Sequence, residues 1–162
     1  MDGLRHEVES LGFQITDESD ADYVVAGFNS NVNYQQLSKA SLALRGGAKL
    51  LAANLDASIP TEDGLLPGTG ALVAALTYPT GTEPHVVMGK PEIGIFNLAT
   101  DRLGFKPEET LMIGDRLDTD ILGANNAGLK SALILTGVSS KTDLESSPAR
   151  PDYIISSLMD IK

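Results

Sequence analysis

The stretch LMIGDRLDTDILGANNAG, residues 111–128, gathers three carboxylates, Asp115, Asp118 and Asp120, within six positions. Asp115 directly follows the apolar run Leu111-Met112-Ile113-Gly114. That order puts it at the C-terminal end of a strand, the edge where open α/β sheets collect functional groups. Asp120 stands five residues on, where a helical pattern begins. Two carboxylates so close suit a hard divalent cation such as Mg²⁺, which takes oxygen ligands and keeps several waters. The same spacing also suits helix capping, with Asp118 or Asp120 accepting from the first amides of the helix. Asp118 is read as such a cap or as a solvent-facing residue. The second chemical feature is VVMGKPE, residues 86–92, in which Lys90 follows an apolar run and Gly89, and Pro91 opens a helix. A lysine at a strand-to-helix junction, beside a helix N-terminus, suits a phosphate oxygen, although a lone lysine there is more often simply solvated. An aspartate cluster at the same sheet edge favours the phosphate reading.

Other candidates carry less. PGTGALVAAL, residues 67–76, begins like a dinucleotide fingerprint but lacks the third glycine and follows a proline-containing loop, not a strand. His6 lies on a polar helix and His85 at a linker, with no second histidine near either to complete a metal site. Ser139 and Ser140 read as loop, because no His/Asp partner supports a serine nucleophile.

The elements that must hold these residues alternate between apolar runs and helical patterns, which predicts an α/β fold. Helices are expected over GLRHEVESLG (3–12), NYQQLSKASLALRGG (33–47, with Tyr34, Leu37, Ala40 and Leu44 on one face), TGALVAALTY (69–78), EIGIFNLATDRLG (92–104) and 118–127. Strands are expected over FQI (13–15), DYVVAG (22–27), AKLLAAN (48–54), HVVMG (85–89), TLMIG (110–114), SALILT (131–136) and DYII (152–155). ASIPTEDGLLPG, residues 57–68, reads as a loop rich in turn residues. PTGTEP, residues 79–84, is the best linker, so the chain is read as two units, 1–83 and 84–162.

The chain has 162 residues, 42% of them hydrophobic, enough for one large domain or two small ones with packed cores. It has no cysteine, which excludes disulfides, cysteine-zinc sites and thiol catalysis. A net charge of −10 argues against nucleic acid as a partner, because phosphate backbones need a basic surface. A small phosphorylated molecule remains compatible where a metal or local positive charge receives it. No apolar run approaches the roughly 20 residues a membrane helix needs, and the polar, acidic start resembles no targeting peptide. The expectation is a cytoplasmic protein without membrane or nucleic-acid partners.

GKPE (89–92), MIGDRLDTDILGANNAGL (112–129) and LTGVSS (135–140) together resemble the haloacid dehalogenase (HAD) superfamily, and within it the 4-nitrophenylphosphatase and NagD-like group. The first half, residues 33–76, resembles that group's C2-type α/β cap. The resemblance implies a HAD-like Rossmannoid core, of which only the C-terminal part is present, and a cap over residues 1–83. It implies a Mg²⁺-dependent phosphatase that hydrolyses a small phosphate monoester through an aspartyl-phosphate. Asp115 is then the Mg²⁺ ligand, Lys90 the phosphate-neutralising lysine, and Asp120 the second acid that supports the metal's water shell and orients the lysine. Asn54, Asp56, Ile59 and Pro60 resemble the cap's substrate-specificity loop, with Ile59 as an apolar contact to the leaving group.

Members of the group open with a strand carrying an Asp-x-Asp pair, whose first Asp is the nucleophile. No such strand is found. Asp20-Ala21-Asp22 precedes its strand, Asp118-Thr119-Asp120 is already the metal motif, and Asp56 has Ser58 two places on. The expectation is therefore a fragment that does not turn over alone, with a non-catalytic phosphate- or metal-binding module as the alternative. The absent strand would neighbour 110–114, so an open edge there is expected to invite association with a second copy.

Overall fold

The computed structural model describes residues 2–161. By internal contacts the chain divides into two compact units, Met1–Met88 and Gly89–Lys162.

In the first unit, helix α1 (Asp2–Ser10) precedes strand β1 (Tyr23–Ala26), helix α2 (Tyr34–Arg45) and strand β2 (Lys49–Ala52). Strands β3 (Ser58–Thr61) and β4 (Gly64–Pro67), helix α3 (Thr69–Thr80) and strand β5 (Val86–Val87) follow. Strands β1, β2 and β5 form a parallel sheet with β2 in the centre. Central placement makes Leu50 and Ala52 fully buried. They pack with Ala43 and Leu44 of α2 and Val73 and Leu76 of α3. Helix α2 begins on a reciprocal cap: Gln36 N–H donates to Asn33 Oδ1 at 2.9 Å, and Asn33 N–H donates to Gln36 Oε1 at 3.1 Å. The β1–β2 register pairs Ala26 with Ala52, so the loops that follow both strands leave one edge side by side.

In the second unit, helix α4 (Ile93–Leu103) leads to strand β6 (Leu111–Gly114), a π-helical turn (Leu117–Ile121), helix α5 (Leu122–Ala127), strand β7 (Lys130–Ile134) and strand β8 (Tyr153–Ile155). The strands form a parallel sheet in the order β6-β7-β8. Ser131, Ala132 and Leu133 of the central strand are buried. One core cluster joins Leu133 to Leu117 and Ile121 of the π turn and to Ala149. A second joins Phe96 of α4 to Ala124 of α5 and to Leu129, with Met112 against it. A Cβ at Gly123 would lie 2.5 Å from a Phe96 ring atom, so the α4–α5 contact needs glycine there.

Four expectations change. Residues 13–15 form no strand, and Phe13 is exposed; that segment finds no partner among the described strands. Residues 57–68 are not an open loop but a hairpin, β3 pairing antiparallel with β4 from Ser58↔Pro67 to Thr61↔Gly64. Glu62 and Asp63 make its two-residue turn, and Gly64 supplies the left-handed conformation at φ +115°. Val86–Val87 pairs with β2 in the first sheet, so the contact division falls after Met88, past the sequence linker, whose first two residues continue α3. Tyr34 is 85% exposed, while Leu37, Ala40 and Leu44 face the core.

Candidate active site

Strand β6 ends at Gly114, and the chain turns through Asp115 and Arg116 into the π-helical turn. Both Asp120 N–H and Ile121 N–H donate to Arg116 C=O, at 3.0 and 3.1 Å. This tight return carries the Asp120 side chain back under the strand end. There it is 5% exposed, and Oδ2 accepts from the amides of Asp115 (3.2 Å) and Arg116 (3.1 Å). Its Oδ1 accepts from Lys90 Nζ at 2.6 Å. The close approach requires glycine at 114: a Cβ there would sit 2.2 Å from Asp120 Cβ. Lys90 lies just before α4 on a cis peptide to Pro91, and its side chain is 46% exposed. The ammonium is thus anchored on one side by a buried carboxylate and open on the other.

Asp115 is held from the loop that follows β7. Its Oδ2 accepts from Val138 N–H at 2.8 Å, and its carbonyl accepts from Ser139 N–H at 2.9 Å. Its Oδ1 has no hydrogen-bond partner among the described residues. Asp118 points away from this cluster. It is paired in a bidentate way with Arg116 (Nε–Oδ1 3.0 Å, Nη2–Oδ2 2.7 Å), and the guanidinium holds its carboxyl below the usual carboxylate value. Its side chain is 67% exposed, the solvent-facing position the sequence reading allowed.

The structure therefore brings Lys90, Asp115 and Asp120 together. The other four expected residues lie in the first unit: Asn54 accepts from Asp56 N–H at 3.1 Å, while Ile59, half-buried, and Pro60, exposed, stand on β3 and not in a loop. Sequence reasoning set aside Ser139 and did not single out Gly137 or Val138. The signal available was that LTGVSS follows a strand neighbouring β6, which puts its loop at the same sheet edge.

No group of three or more His, Cys, Asp or Glu side chains gathers among the described residues. The donor set still fits a hard divalent cation, because such an ion can keep most of its waters and bind through one or two carboxylates. Asp115 Oδ1 is the unengaged oxygen, and the two oxygens of Asp120 are already used by Lys90 and two amides.

Residues 87–161 match the HAD-hydrolase-like family model. The chain is 40% identical over 151 residues, 93% of its length, to an acid sugar phosphatase of Staphylococcus epidermidis, of which it covers 58%. Its structure matches the p-nitrophenyl phosphatase from Archaeoglobus fulgidus with a TM-score of 0.91 at 38% identity, covering 98% of this chain and 62% of that one. It also matches a glycerol phosphate phosphatase from Mycobacterium tuberculosis, solved in complex with calcium, with a TM-score of 0.88 at 44% identity, over 95% of this chain and 46% of that one. Residues 87–161 carry the haloacid dehalogenase-like hydrolase pattern. The relatives that match nearly the whole chain are phosphatases of the 4-nitrophenylphosphatase and acid sugar phosphatase kind. The chain spans about three fifths or less of their length.

Proposed function

We propose that the chain is part of a Mg²⁺-dependent phosphatase acting on small phosphate monoesters, of the sugar or polyol kind named for its relatives. The observation that carries the reading is the Lys90–Asp120 pair at 2.6 Å, whose buried carboxylate also fixes the amides of Asp115 and Arg116 at the end of β6. Lys90 would contact a phosphoryl oxygen with its open side. Asp120 would hold that ammonium in place. Asp115 Oδ1 would be the protein ligand of the cation. A bound divalent cation supplies charge neutralisation for the phosphoryl oxygens. Preorganised charge of this type is the main protein contribution to phosphoryl transfer. In this reading the second unit belongs to the catalytic core and the first to the cap, where Asn54, Asp56, Ile59 and Pro60 would meet the leaving group. Among the described residues no helix is long and apolar enough to cross a membrane, and a cytoplasmic setting is part of the proposal.

The second reading, a non-catalytic phosphate- or metal-binding module, is favoured for these 162 residues alone by one observation. No described strand ends on an Asp-x-Asp pair that could supply the nucleophile.

Inorganic phosphate titrated into the chain with and without Mg²⁺, followed by amide NMR, tests the shared site. Shifts confined to residues near Lys90 and 114–120, requiring Mg²⁺ and weakened about 10-fold or more by Lys90→Ala, are expected. Shifts elsewhere, or indifference to Lys90→Ala, would refute the site.

A further inference from the structure

Three consecutive residues of the loop after β7, Gly137, Val138 and Ser139, meet Asp115 through their backbone, and Ser139 also reaches Leu117 with its side chain. Val138 N–H donates to Asp115 Oδ2 at 2.8 Å. Ser139 N–H donates to Asp115 C=O at 2.9 Å. Ser139 Oγ accepts from Leu117 N–H at 3.1 Å. Gly137 passes so near the carboxylate that a Cβ there would lie 2.0 Å from Oδ2. Ser139 thus grips this segment at two points: its amide holds the carbonyl of Asp115, and its hydroxyl holds the residue two positions on. Leu117 is buried and opens the π-helical turn, so its N–H has no acceptor within that turn and depends on one from outside.

We infer that Ser139 is a positioning residue for the cation-binding carboxylate. Its hydroxyl keeps the β7 loop seated on the β6 loop, and the seated loop presents the Val138 amide to Asp115 Oδ2. The charge-assisted hydrogen bond from that amide fixes one oxygen of the carboxylate and leaves Oδ1 available to a ligand. Without the hydroxyl, the Leu117 amide loses its acceptor, the loop lifts, and the carboxylate regains the rotamer freedom that cation binding must then remove. The hydroxyl itself touches neither cation nor substrate. This rests on the reading of Asp115 as the cation ligand.

The test uses the full 162-residue chain with Mn²⁺ alone as the probe. Binding is followed at 25 °C by paramagnetic broadening of amide signals near 114–116, and folding is checked in the same spectra. In the unmodified chain the broadening should saturate and should be abolished by Asp115→Asn. Ser139→Ala should weaken Mn²⁺ affinity by about 10-fold, the scale seen when a group supporting a metal ligand is removed. Ser139→Thr, which restores the hydroxyl, should return affinity to near that of the unmodified chain. Ser139→Cys keeps the size but accepts hydrogen bonds weakly, and should fall between; it replaces the alanine variant where that one does not fold. A role limited to capping the π turn would lower thermal stability and leave Mn²⁺ affinity of the folded variant unchanged. Unchanged affinity in folded Ser139→Ala or Ser139→Cys, with Asp115-dependent binding intact in the unmodified chain, overturns the positioning role and leaves the reading of Asp115 standing. Mn²⁺ binding in the unmodified chain that is absent, or indifferent to Asp115→Asn, overturns that reading and the positioning role with it.

Discussion

Asp120→Ala should unfold the second unit well before the first. The carboxylate is 5% exposed and accepts three hydrogen bonds: two backbone amides at 3.1 and 3.2 Å and the Lys90 ammonium at 2.6 Å. A hydrogen bond to a charged group contributes about 1.5–3 kcal/mol, and the two amide bonds are long enough to belong at the low end. Lys90 is 46% exposed and rehydrates when its partner goes, so its share is that of a surface pair, about 0–1 kcal/mol. The sum is about 3–4 kcal/mol. A unit of the size of Gly89–Lys162 has a total stability of only about 4–11 kcal/mol at ordinary values per residue. Asp120→Asn keeps a carbonyl for the amides but loses the charge, and should cost about half as much, since neutral hydrogen bonds are roughly half as strong. Urea titration read by NMR, with probes Leu133 in the second unit and Leu50 in the first, separates the two transitions. A change at Leu133 below about 0.5 kcal/mol for the alanine variant, against the values expected from lost charged hydrogen bonds, would refute the reasoning. So would equal damage from asparagine and alanine.

Gly114→Ala should be as harmful as Asp120→Ala, because its Cβ would fall 2.2 Å from Asp120 Cβ and 2.5 Å from Oδ2; near-unchanged thermal melting would show that the π turn yields more easily than its geometry says. Asp152 binds Lys130 Nζ at 2.6 Å and Ser131 N–H at 2.9 Å, and these partners lower its pKa below the ordinary 3.8, while Asp152 raises that of Lys130 above 10.5. A lowered acid contributes above its unfolded value and loses that contribution as pH falls below it; a raised base contributes below its unfolded value and loses it as pH rises past. Asp152→Asn should therefore destabilise between pH 3.8 and 10.5 and converge with the unmodified chain in stronger acid; a pH-independent difference in melting temperature would contradict this. Amides of β6 should exchange with solvent faster than those of β2, since among the described residues β6 is paired on one side and β2 on both; equal protection of Leu111–Ile113 and Leu50–Ala52 in a monomeric sample would disprove it. The 162-residue chain with Mg²⁺ should release no p-nitrophenol from p-nitrophenyl phosphate above buffer, and turnover abolished by Asp115→Asn would reveal an unrecognised nucleophile.

Much of the fold was legible wherever a local signal and a buried run coincided. Helix α4 ends at Gly104 and α5 at Gly128, both left-handed, as their glycines foretold. The runs over 49–52, 111–114 and 130–134 became parallel strands because their apolar content allows burial between neighbours. The hairpin was hidden by its own composition. Pro60 and Pro67 lower strand propensity, and both are tolerated because a two-stranded ribbon leaves each strand one unpaired side. The Asp63-Gly64 pair, where the turn passes into β4, was the cue, and it was read as loop. FQI failed for the opposite reason: strand-like residues form a strand only with a partner, and the described sheet ends at β1.

The site divides along the same line. Asp115 and Asp120 are five residues apart, so one strand end and one turn bring them together, and spacing alone could announce them. Lys90 is 30 residues from Asp120, yet its place before a helix at a strand-helix junction marked it. Val138 and Ser139 reach the same point from 23 and 22 residues beyond the backbone groups they meet. Neither has a residue type that announces chemistry: one acts through its amide, the other through a hydroxyl that accepts from a backbone N–H. What joins them to Asp115 is the pairing of Gly114 with Leu133, which makes β6 and β7 end level and releases their loops at one edge. A parallel sheet assembles its site through this register, and the register is a property of the pair of strands. The carboxylates could be found one strand at a time, whereas the loop that orients them could be found only once the two strands lay side by side.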